Sequence, residues 1–229
     1  MRTRLDGVAA GIDMVVISMT QSLVLGVLAG VSLDPILDLR FEYWPYILIG
    51  LLIVLNFWAR TIIHVLSFTT WPPDLFRAFA YFAAAFIEGL AVRQILNPTN
   101  FFALGVIYTI SAWILYWIDR RFIFRHMRKD ETPSGKLLLQ DILRDQVWNL
   151  RFGVPIFSII SGLSAGLCFF RPEVFFGGRW HLLLACAALV AAGLYLGQTV
   201  SLLAKRSRLI FQRDIERRMQ SLPVDSREV

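Results

Sequence analysis

Six apolar runs, each about 20 residues or more, succeed one another along the chain, at roughly residues 6–30, 44–68, 73–96, 100–124, 147–170 and 179–204. A helix rising ~1.5 Å per residue needs about 20 residues to cross a hydrocarbon core of ~30 Å, and every run meets that length. Short turns or strongly charged stretches separate them, and no Gly/Ser- or Pro-rich linker divides the chain. The pattern predicts an all-α polytopic membrane protein. Residues 1–204 form one six-helix domain, and residues 205–229 form a basic, amphipathic C-terminal tail. Three runs lie on each side of the chain's middle, without a legible internal repeat.

Polar residues inside the runs change the picture, because a charge in hydrocarbon is kept where it meets water or a countercharge. In the first run Asp6, Ala10, Asp13, Ile17, Thr20 and Val24 follow at steps of three and four, so they share one helical stripe, with Gln21 beside it. That stripe is expected to face the bundle interior or a water-filled path. The second run carries Asn56, Arg60 and His64 on one face, four residues apart. Matching depths along two antiparallel helices predicts pairs of Asp13 with Arg60 and of Asp6 with His64. The third run holds Arg77 near one boundary and Glu88 well inside, with Tyr108 and Ser111 of the fourth at a depth from which either reaches Glu88. Ser158, Ser161, Gly162, Ser164, Gly166 and Gly193 in the last two runs read as close helix packing.

Charge fixes an orientation. The chain has 23 Lys and Arg against 17 Asp and Glu, a net +6 that would suit nucleic acid if it were clustered on one domain. Instead it flanks the runs. Arg2 and Arg4 precede the first; Arg120, Arg121, Arg125, Arg128, Lys129 and Lys136 follow the fourth; Lys205, Arg206 and Arg208 follow the sixth. Only Arg40, Arg93, Arg171 and Arg179 mark the opposite side. The asymmetry places both termini in the cytoplasm and argues against nucleic acid. Trp44 and Trp180 then fall at the outer boundary and Trp71, Trp117 and Trp148 at the inner one, as an aromatic belt requires. The first run resembles a signal peptide only at "MRTR"; its length and Asp13 favour a retained helix.

Two polar segments remain. Residues 125–146 contain a turn at Pro133-Ser134-Gly135 and then a short amphipathic helix expected to bury Leu138, Leu139, Ile142 and Leu143. In the tail, Phe211, Ile215, Met219 and Leu222 gather on one side with arginine elsewhere, a pattern for lying against anionic lipid headgroups or packing on a partner. Cys168 and Cys186 sit inside the last two runs, which excludes a disulfide framework, and the three histidines lack metal-ligand spacing. "GLSAG", Gly162 to Gly166, matches a Gly-x-Ser-x-Gly pattern with His181 on the next helix, and leaves an intramembrane serine hydrolase as a third-ranked reading. No catalytic residue, cofactor or metal is assigned, and the chain is expected not to be an enzyme.

The start of the chain, "RLDGVAAGIDMVVISMTQSLVL", resembles the first helix of the lysosomal-type and bacterial potassium channels, whose signature is an Arg, then Phe-Ser-Asp, then an apolar helix with an isoleucine gate. Arg4-Leu5-Asp6 is similar to the arginine end of that signature; in a second register Gly11-Ile12-Asp13 stands where Phe-Ser-Asp would, and Ile17 falls at the gate. "NFWARTIIHVLSF" in the second run also fits the family's small bacterial members, whereas the Phe and Ser of the signature are replaced in both registers. The resemblance implies a homo-oligomer in a bacterial inner membrane, with first helices around a cation path. Ile17 would be its constriction, Asp6 and Asp13 its cytoplasmic mouth, and Thr20 and Gln21 the polar steps beyond. Selectivity there comes without a filter loop of backbone carbonyls. Asn56, Arg60, His64, Glu88 and Tyr108 would form a supporting intramembrane network. The rival expectation is a non-conducting membrane subunit or anchor for another protein, its polar ladder holding the bundle together.

Overall fold

The computed structural model describes residues 2–68, 74–127 and 132–221, and these contain helices and turns without a strand. The helices are α1 (Arg2–Leu37), α2 (Trp44–Phe68), α3 (Leu75–Arg93), α4 (Pro98–Met127), α5 (Pro133–Trp148), α6 (Val154–Phe170), the short α7 (Pro172–Gly177) and α8 (Trp180–Ser221). Among the described residues six helical stretches are long and apolar enough to cross a membrane, the make-up of an integral membrane protein. Their outer faces suit hydrocarbon. On α3, Phe76, Phe79, Phe82 and Phe86 project outward, each more than half exposed.

Each long helix packs mainly on two others: α2 on α8, α8 on α6, α6 on α4, α4 on α3, and α1 against both α3 and α2. The attachment of α1 is narrow. It buries Ala9, Gln21, Val24, Leu28 and Ser32, whereas Ala10, Asp13, Ile17 and Thr20 of the expected stripe are half-buried. One end of the bundle gathers Asp13 of α1, Val65 of α2, Asp74 and Arg77 at the start of α3 and His126 of α4, and is termed the basic end for the Arg125 and His126 that close α4 there. The opposite end is closed by Tyr46, Phe101, Phe102 and Phe175, whose rings meet edge to face. Trp44 and Trp180 are exposed at that end, and Trp117 and Trp148 are exposed toward the basic end; Trp71 lies outside the described residues. Cys168 and Cys186 are free.

Three sequence expectations change. Pro133-Ser134-Gly135 is the first turn of α5 and not a preceding loop. The Thr132 side chain caps it by accepting from the Gly135 amide at 3.2 Å, and proline suits a first helical position because its missing N–H would be unpaired there anyway. Leu138, Leu139 and Ile142 are buried as expected, with Leu143 packed beside them. Nor is α5 separate from the fifth span. A π-helical turn, Asn149–Gly153, joins α5 to α6 without a loop.

The tail does not form a helix of its own at residue 205. It continues α8, whose 42 residues extend for about 63 Å, twice the hydrocarbon thickness. Leu209 and Ile210 pack on α5, and Arg213 donates to the carbonyls of Leu66 and Ser67, capping the last turn of α2. Glu216 accepts from the hydroxyl and the amide of Ser134. The stripe of Phe211, Ile215 and Met219 points away from these contacts and is exposed; Leu222 lies outside the described residues.

Candidate functional site

The polar face of α2 turns into the bundle, and each of its three members finds partners on another helix. Arg60 donates to Asp145 of α5 at 2.9 Å, its guanidinium 4.3 Å from the ring centre of Tyr195. Arg206 of α8 reaches the same carboxylate at 3.4 Å and Asp141 at 2.9 Å, where Lys205 joins from the surface. His64 places Nδ1 2.7 Å from Asp119 and 2.8 Å from the Tyr81 hydroxyl, which itself donates to Asp119 at 2.6 Å. On the ring's other side Nε2 lies 2.9 Å from the side-chain amide of Gln146. Asn56 accepts from Thr199 at 3.0 Å.

The expected pair of Asp13 with Arg60 is therefore not formed, and the Asp6 side chain expected against His64 lies outside the described residues. Matching depths does not say which helix stands alongside. The α5 helix runs back against α4 and α8, and its Asp145 occupies the place given to Asp13. A sequence signal for this existed. Leu138, Ile142, Asp145 and Asn149 step by four, three and four, so Asp145 continues a buried stripe. Asp119, Tyr81 and Arg206 carried no comparable signal, since each sits beside charged or aromatic neighbours that read as boundary.

The polar stripe of α1 meets a different set of groups. Asp13, Ile17, Thr20 and Gln21 wall a cavity of about 320 Å³ at the basic end, together with Asp74, Arg77 and His126 and with Tyr81. The hydroxyl of Thr20 is spent on its own helix, donating to the Val16 carbonyl at 2.8 Å. Gln21, 3% exposed, donates from Nε2 to Oε2 of Glu88 at 3.1 Å. Glu88 is 1% exposed, and its Oε1 has no hydrogen-bond partner; the Oε1 of Gln21 has none either. The donor on Glu88 thus comes from α1. Of the two donors expected on α4, Ser111 bonds the Tyr108 carbonyl, whereas Tyr108 shares a cavity wall with Glu88.

Beyond Glu88 lies an inner cavity of about 140 Å³, reaching toward the aromatic plug at the opposite end. Asn56, Tyr108, Tyr116 and Tyr195 join it to a smaller space of about 70 Å³ that Arg60, His64, Tyr81 and Asp119 line. Gln21 walls the outer cavity and Glu88 the inner one, so their hydrogen bond is a partition between the two.

Other candidates stay apart. Ser164 is fully buried with its hydroxyl unpartnered, while His181 Nδ1 lies 3.3 Å from the Phe175 carbonyl. The described residues contain no group of three side chains suited to holding a metal ion. Comparison with known proteins found no match for this chain among family models, curated proteins or solved structures.

Proposed function

We propose that this chain conducts a monovalent, potassium-like cation across the membrane, along a path that starts in the cavity behind α1 and passes the Gln21–Glu88 partition. One observation carries the reading: the face of α1 bearing Asp13, Ile17, Thr20 and Gln21 walls a large cavity and ends on a buried, half-satisfied carboxyl. Asp13 and Asp74 supply negative charge at the mouth, and Ile17 supplies an apolar constriction between the mouth and Gln21. Arg60, His64 and Asp119 line the smaller space beside the inner cavity, where ion pairs hold them between helices. The basic end faces the cytoplasm in this reading, with both termini there and the arginine-rich surface against anionic headgroups of a bacterial inner membrane.

The chain acts as a homo-oligomer in this proposal, joined through the outer face of α1. Gly7, Gly11, Gly26 and Gly30 lie on that helix with nothing within 4 Å of an added Cβ, so a neighbouring helix can approach closely. The same open face supports the second reading, a non-conducting subunit that anchors another membrane protein. Purified protein in liposomes separates the two. Conduction predicts potassium flux that Glu88→Gln lowers at least tenfold and that Ile17→Asn alters in leak or selectivity. Absence of flux from folded wild-type protein refutes it in favour of the subunit.

A further inference from the structure

The partition leaves a chemical demand that the chain itself does not meet. Both unsatisfied atoms, Oε1 of Glu88 and Oε1 of Gln21, are acceptors, and both are buried. A buried acceptor without a donor is costly, more so when it carries charge, so the group that completes the site brings N–H donors or positive charge. Glu88 faces the inner cavity, whose other walls include the rings of Phe101, Phe102, Tyr108 and Phe157. Aromatic rings surround this single carboxyl. They are a good environment for a cation with a hydrocarbon body, which gains both from ring faces and from leaving water.

From this arrangement we infer that the inner cavity is a binding site for a small organic ammonium ion, its N–H groups on Glu88 and its alkyl part among the rings. Size sets the class. A dry cavity of ~150 Å³ holds one benzene molecule, and this one, at about 140 Å³, takes an ion of about six non-hydrogen atoms. The inference deepens the conduction reading by naming the class of cation held beyond the partition, and it rests on that reading only for transport, since binding is measured without flux.

The test is titration of the purified full-length protein with isopentylammonium, followed calorimetrically, with isopentanol as a neutral match in shape. The expected result is saturable binding of the amine, at least tenfold weaker binding of the alcohol, and at least tenfold loss of amine affinity in Glu88→Gln with partial recovery in Glu88→Asp. Equal affinity of wild type and Glu88→Gln overturns the inference, as does the absence of saturable binding to folded wild type. If Glu88→Gln does not fold, Ser161→Leu, which fills the same cavity from α6, is expected to abolish amine binding, and undiminished binding by that variant overturns the site. Vesicles that pass potassium through a protein that binds no amine sink the site and keep conduction. Amine binding without flux of any cation does the reverse.

Discussion

Asp145→Asn tests the charged centre of the bundle most directly. Arg60 and Asp145 have side chains only 8% and 5% exposed, and removing one partner of such a buried pair typically costs ~3–5 kcal/mol because the other charge stays uncompensated. Two features of the site soften that figure. Arg206 keeps Asp141, and Arg60 keeps the Tyr195 ring at 4.3 Å, a contact worth ~1–2 kcal/mol away from water. The expected loss is therefore about 3 kcal/mol, which for a chain of this size lowers the melting temperature by about 6–12 °C. Asp141→Asn is the internal control. Its partner Lys205 is 61% exposed and Arg206 retains Asp145, so the loss should stay below ~1 kcal/mol. Replacing the pair together, Arg60→Leu with Asp145→Leu, removes both charges and should return stability to within ~1 kcal/mol of wild type. The assay is thermal unfolding in detergent, with size-exclusion chromatography as a check on folding. If Asp145→Asn melts with the wild type, or if Asp141→Asn is equally harmful, the reasoning about compensated charge is wrong.

Two further outcomes follow from local packing. At Gly153 an added Cβ would sit 2.9 Å from Asn149 Oδ1 and 3.1 Å from the Trp148 ring, so Gly153→Ala should destabilise by ~1–3 kcal/mol, whereas Gly166→Ala, with open space around it, should melt with the wild type. Arg213→Ala strips the donors from the last carbonyls of α2 and should cost ~1.5–3 kcal/mol in the same assay, with Arg213→Lys intermediate because one ammonium cannot span both carbonyls.

Six spans were readable from the sequence because membrane thickness imposes a length on each apolar run, and the run survives any packing arrangement. A helical period of 3.6 likewise fixes which residues of α1 share a face. The error of one position, Thr20 for Gln21, is the resolution of that period when no partner is known. What the sequence concealed was lateral. Arg60 met Asp145 and His64 met Gln146 because α5 packs against α4 and α8, and the polar side of a stretch such as "LLLQDILRDQ" reads as surface when its neighbours are unseen. Gln21 and Glu88 were both singled out as polar positions in apolar surroundings, yet their pairing depends on α1 packing against α3, which no periodicity states.

The pairing of Arg60 with Asp145 also has a consequence for biogenesis. The two residues are separated by 85 positions, so a ribosome adding ~5–20 residues per second delivers the carboxylate about 4–17 s after the guanidinium. Arg206 follows 61 positions after Asp145. Through that interval the second span carries a cation whose acceptor has not been synthesised. Early release of that span into lipid would separate the guanidinium from its partner, so chains arrested before residue 145 should hold the second span beside the translocation pore.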